Sequence, residues 1–127
     1  MSIRNLWGDL PSVENLKAPA QILKEQAAIL AEQTKGVLIG KVEQISDADL
    51  AFDLDIRAPA LNNHSVNVLR VTHPVTLYPV RIYFRLAQTT KDLWECPAEA
   101  DFLKALESVL SGPETKRVLA SLMVLSR

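Results

Sequence analysis

The sequence predicts an α+β fold: a four-stranded antiparallel meander, preceded by one helix and followed by two packed on the same face, in the order α-β-β-β-β-α-α. Three observations predict it. Strand-like segments gather in the middle of the chain and helix-like segments lie at its ends. The strand candidates alternate apolar and polar residues, as strands with one dry and one wet face do. The segments between them, "SDAD", "APALNNH" and "THPV", are short and rich in turn residues. They suit hairpins and leave no room for the crossover helix that parallel pairing needs.

The chain begins irregularly. "LWGDLPS" joins a tryptophan to Gly8 and Pro11, both of which interrupt regular structure. Trp7 and Leu10 are expected to tuck against the core, and Ser12 to cap a single turn in "SVENLK". "APAQILKEQAAILAEQTKG" is the clearest helix. Pro19 suits the first helical position, where its missing N–H is no loss. Ile22, Leu23, Ala27, Leu30 and Thr34 share one side at helical spacing, with Ile29 at its edge. Lys35 favours the negative C-terminal end, and Gly36 supplies a left-handed stop.

Four strands are expected next. "VLIGKVEQI" (37–45) contains Gly40, a mark of a bulge or of a close approach by another element. "LAFDLDIR" (50–57) sets Leu50, Phe52, Leu54 and Ile56 against Ala51, Asp53, Asp55 and Arg57. "SVNVLRV" (65–71) is rich in β-branched residues. "YPVRIYFRL" (78–86) alternates Val80, Ile82, Phe84 and Leu86 with Arg81, Tyr83 and Arg85. Two helices close the chain. "PAEADFLKALESVLSG" carries a stripe of Phe102, Leu103, Leu106, Val109 and Leu110, and "PETKRVLASLMVLSR" repeats the device with Pro113 at its start. A strand is the alternative for "RVLASLMVL". The last helix has an apolar arc wider than one packing partner requires. Either it is sandwiched, or it leaves area bare for a second subunit and a homodimer.

Residues 1–127 are expected to form a single globular domain. With 14 basic and 15 acidic residues the net charge is −1, so bulk charge points to neither nucleic acid nor a membrane surface. No stretch approaches the ~18 apolar residues of a membrane helix, and "MSIRNLWGDLPS" is no secretory signal. One cysteine, Cys96, excludes an intramolecular disulfide. A cytoplasmic protein is expected.

Charge is unevenly distributed. Glu43, Asp47, Asp49, Asp53 and Asp55 lie in one segment, whereas Arg57, Arg70, Arg81, Arg85 and Lys91 follow with no acid from Ile56 to Lys91. The plainer expectation is that the two sets meet on one wet face and pair across strands, each exposed pair contributing about 0.2–1 kcal/mol. The sharper one puts the acidic strand at the far edge. Arg81, Tyr83, Arg85 and Arg70 would then form an open basic patch, and arginine and tyrosine are the residues that enrich protein-binding hot spots. These four are the candidate binding residues.

No catalytic set is complete. Counted as a calcium loop from Asp47, the sixth position is Phe52 rather than glycine and the twelfth is no glutamate. Asp53 and Asp55 with Lys41 or "ETK" (114–116) would suit a metal-dependent enzyme acting on nucleic acid or phosphate esters. His64, His73 and Cys96 lack zinc-ligand spacing, and His73 reads as a loop residue. Cys96 stands near a helix start without a base in sequence. No cofactor or metal is expected. Asn62–Asn63 reads as a turn with positive φ. The sequence is thus read as a non-enzymatic, adaptor-, immunity- or chaperone-like protein-binding domain using a polar sheet face. The alternatives are the metal-dependent enzyme and a small-molecule binder with its pocket between helices and sheet.

Overall fold

The computed structural model describes residues 3–46, 50–88 and 91–127. Pro19 opens the first helix, α1 (Pro19–Gln33), and is itself buried with Ile22, Leu23 and Ala27. The helix stops where Gly36 takes φ +80°. Thr34, expected on the apolar stripe, is spent on the backbone. Its hydroxyl donates to the Leu30 carbonyl at 2.9 Å and accepts the Leu38 N–H at 3.1 Å, tying the helix end to the strand that follows.

That strand is β1 (Ile39–Ser46), and β2 (Leu50–Ala58), β3 (His64–His73) and β4 (Val80–Phe84) follow as antiparallel neighbours. The β2–β3 connection is a 3-10 turn, Pro59–Leu61, closed by Asn62 and Asn63 at φ +57° and +58°, as the paired asparagines predict. The expected "SDAD" turn lies outside the described residues from Asp47 to Asp49.

The sheet has five strands, not four. The fifth, β5 (Leu93–Cys96), extends the meander at its far edge, giving the order β1-β2-β3-β4-β5. Four residues ending against Pro97 are too few to show alternation, and an edge strand can be this short because only one side pairs. β4 is also shorter than "YPVRIYFRL" suggests, because Pro79, which cannot donate to the ladder, bounds it at one end.

Two helices follow. In α2 (Glu99–Leu110) the Asp101 carboxylate accepts the Ala98 N–H at 3.2 Å, and two acids occupy the first turn. The chain reverses at Gly112 into α3 (Pro113–Leu125), which is a helix and not the alternative strand. The buried Thr115 hydroxyl donates to the Val109 carbonyl at 2.8 Å, satisfying an acceptor left over at the end of α2.

All three helices contribute to one core with the sheet. Leu54, Ile56, Leu69, Val71, Val80, Ile82 and Phe84 meet Leu23, Phe102, Leu106 and Val109 there. α1 packs on β1, and α2 on β4 and β5. The two thus cover opposite edges of the dry face, and Gly40 shows why α1 can lie so low. A Cβ on Gly40 would stand 2.7 Å from the Ala27 Cβ and 2.9 Å from its Cα, so the glycine marks a close approach.

Two expectations about the surface resolve differently. Trp7 and Leu10 do not tuck in: they are 85% and 75% exposed. Around Gly8 at φ +67° and Pro11 the chain forms no regular structure, and the core closes without it. Ser12 caps no helix; the turn there is closed by Leu16 N–H to Val13 carbonyl. On α3 only Thr115 and Leu122 are buried, while Met123, Val124 and Leu125 stay exposed.

Candidate functional site

The wet face of the sheet is built by register. Directly opposed residues share a face, so the row Glu43–Asp53–Arg70–Tyr83–Leu93 runs across all five strands on one side. Beside it lie the rows Lys41–Asp55–Asn67 and Ala51–Thr72–Arg81–Glu95. A bulge makes this alignment possible. Leu54 opposes Leu69 but Asp55 opposes Asn67, so Val68 is the extra residue. Asn67 and Arg70 are three apart and would point to opposite faces of a regular strand. The bulge brings both to the acidic side chains of β2.

The Arg70 guanidinium forks onto the Asp53 carboxylate at 2.8 and 3.3 Å, with the Asp53 side chain only 15% exposed. That hydrogen bond, more than the charge itself, raises Arg70 above its ordinary range. Asp55 is held by a neutral partner, the Asn67 amide at 2.7 Å. Arg81 pairs with Glu95 of the fifth strand at 3.2 Å. Arg85 lies past the end of β4 and lines a separate recess with Glu114 and Arg117.

Of the four candidate binding residues, then, Arg70, Arg81 and Tyr83 share the open face and Arg85 stands apart. Acid and base meet across the strands as the plainer charge expectation has it, although through Arg70 and Glu95. Of the groups named for a metal-dependent enzyme, Asp53 is bonded to Arg70, Asp55 to Asn67, and Lys41 bridges to Glu43 at 2.8 Å, while Lys116 is exposed at the other face of the sheet.

His73 is a strand residue rather than a loop residue. Its ring stacks on Phe52 at 5.9 Å, and Nδ1 lies 2.7 Å from the Pro74 carbonyl. That carbonyl can only accept, which places the ring proton on Nδ1. Cys96 is buried at the end of β5. Burial first, then the nearby Asp101 charge, pushes its thiol up, with Lys91 pulling the other way. A raised thiol is the opposite of an activated nucleophile. The fold favours the neutral form, so the stability this contributes is complete below the unfolded thiol's ordinary value near 9.0 and is lost as pH rises through the higher folded value. Native protein should react with a thiol reagent at least about 100-fold more slowly than unfolded protein. Cys96→Ala should blunt the loss of stability above about pH 9. Equal reaction rates for native and unfolded protein would show the thiol to be accessible.

A recess of about 820 Å³ opens on the wet face beside Arg70, His73 and Arg81, and a smaller, more apolar groove lies on the dry face. Because α1 and α2 cover opposite edges of the sheet, a groove of about 490 Å³ remains between them. Leu54 and Ile56 form its floor beside Gly40; Ala27, Ile29 and Leu30 of α1 line it, as do Leu103, Leu106 and Leu110 of α2 and Leu119 of α3. Gln26, Gln33, Glu107 and Lys116, all exposed, supply its polar rim. Ile29 and Leu103 remain 43% and 45% exposed at its mouth. Sequence reasoning assigned these leucines to ordinary helix stripes. The surplus of apolar positions on three helices over one sheet face was the available signal.

Comparison with protein-family models, with curated proteins and with solved structures finds no match to this chain. No helix among the described residues is long and apolar enough to cross a membrane.

Proposed function

We propose that this chain is a non-enzymatic protein-binding domain whose main contact surface is the apolar groove between α1 and the α2–α3 pair. The supporting observation is an open apolar trough walled by three helices. Its exposed isoleucine and leucine are of the kind that an amphipathic or extended apolar segment covers. The polar sheet face, with Arg70 and Arg81 already paired, contributes register and repulsion rather than affinity. A groove of this size also falls within the range of small-molecule pockets, which favours an apolar small-molecule ligand as the second reading.

Affinity capture with three proteins separates the surfaces: wild type, the groove variant Ile29→Asp with Leu103→Asp, and the face variant Arg81→Glu with Arg85→Glu. Protein partners should be lost by the groove variant, by at least about 10-fold, and kept by the face variant. Partners that survive the groove changes but not the face changes would move the site to the sheet. Capture of no protein, with an apolar dye displaced from the groove by small apolar compounds, would favour the second reading.

A further inference from the structure

The segment before α1 is unlike a solvated tail. Ile3, Leu6, Trp7, Leu10, Val13 and Leu16 are all 60–96% exposed, which gives residues 3–16 six large apolar side chains with no partner. The same chain leaves a trough of matching chemistry unfilled. We infer that the N-terminal arm of a second copy, anchored by Trp7 and Leu10, lies in this groove and that the exchange is reciprocal, making a two-fold dimer. The inference rests on the groove being a protein-binding site and names its occupant.

Three observations carry it. First, both surfaces are apolar and both are open in one chain. The arm leaves α1 at Pro19, the groove is flanked by the second half of that helix from Gln26 to Gln33, and Lys17 is held to Glu25 at 2.9 Å. All six apolar side chains of the arm are exposed and no arm residue lines the groove, so the single chain leaves both surfaces open and a second copy satisfies both at once. Second, the charges match in kind. Arg4 and Asp9 flank the anchor residues of the arm, and Glu107 and Lys116 stand on the rim. Third, the area suffices. Fully burying side chains of this size removes on the order of 100 Å² each from water. Two arms of six therefore give roughly 1,200 Å², above the roughly 1,000 Å² of a stable interface, before the groove surface is counted. A two-fold exchange closes on itself and leaves no open end for further growth. Gly8 at φ +67° interrupts regular backbone between Trp7 and Leu10, so the two anchors, three residues apart, can face the same way.

Light scattering on the full chain tests this. Wild type should elute at twice 14.1 kDa at micromolar concentration and dissociate on dilution. Trp7→Asp with Leu10→Asp should be monomeric, with dissociation at least about 100-fold easier, and its thermal melt at low concentration should be that of wild type because neither residue touches the core. In a Trp94→Phe background, Trp7 emission should shift to the blue as the dimer forms. Leu103→Asp should break the dimer from the other side. A wild type monomeric up to about 1 mM overturns the inference, as does a dimer that the arm substitutions leave intact. A monomer whose Trp7 is already shielded overturns it too, since the arm then sits in its own groove. If the chain is monomeric yet groove-dependent partners are captured, only the occupant is wrong. If groove substitutions change neither partners nor mass, the groove reading itself falls.

Discussion

Gly40→Ala should destabilise the fold by about 2 kcal/mol, within the range that overpacking costs a well-filled core. The reason is local. An added Cβ would meet both the Cβ and the Cα of Ala27 at under 3 Å, and a Cα belongs to the helix backbone and cannot rotate away. Relief requires all of α1 to lift off β1. The lift would also widen the groove, since Ala27 and Gly40 both line it. Denaturant titration should show a lower midpoint with an unchanged slope. Ala27→Gly supplies the control. On its own it costs about 1 kcal/mol of helix propensity. Combined with Gly40→Ala it should recover part of the loss, so that the double variant is more stable than the two single effects add up to. An effect of Gly40→Ala under about 0.5 kcal/mol, or strict additivity, would mean that α1 does not approach β1 closely.

Gly40 also marks how far the sequence could be read. A glycine inside an otherwise good strand was a legible sign of close approach, and its partner was not. Ala27 sits thirteen residues away on a helix whose stripe was evident but whose height above the sheet was not. The order of helices and the antiparallel meander followed from periodicity and from short turns, both local properties. What failed was either too short or non-local. β5 has four residues and a single pairing edge, so no alternation could develop. The bulge at Val68 was present in the sequence as two adjacent apolar residues in "VLRV", yet only the opposing strand shows which of them is extra. That choice decides which charges meet: Arg70 reaches Asp53, while Arg85 falls beyond the ladder. For Trp7 and Leu10 the habit of placing large apolar residues inside was misleading, because being apolar does not by itself supply a place to pack. The groove was the least legible feature. It arises from the spacing of α1 and α2 on the sheet, which no single segment encodes.

Phe102→Ala should produce a larger loss, about 3–5 kcal/mol, in the range for emptying a fully buried aromatic site. Phe102 is 0% exposed and heads the largest fully buried side chains of the core. It lies in the first turn of α2, where its N–H donates to the Ala98 carbonyl at 3.1 Å, so it fixes the helix at the point where the chain leaves β5. Successive helical residues are about 100° apart, so seating Phe102 in the core is what turns Leu103 outward to the mouth of the groove. Against a typical stability of about 5–15 kcal/mol the loss is large, and a fall in Tm of roughly 10 °C or more is expected. Phe102→Leu, which keeps much of the volume, should cost about 1–2 kcal/mol. The graded pair separates the volume of the side chain from a general intolerance at the site. The same logic links stability to recognition. If α2 is held on the sheet mainly by this ring, Phe102→Leu should loosen the wall that carries Leu103, Leu106 and Leu110. It would then weaken groove-dependent association more than a comparable core substitution away from α2, such as Val71→Ala. Equal effects of the two on association would mean that the groove wall is held by the remaining stripe of α2 and not by its first turn.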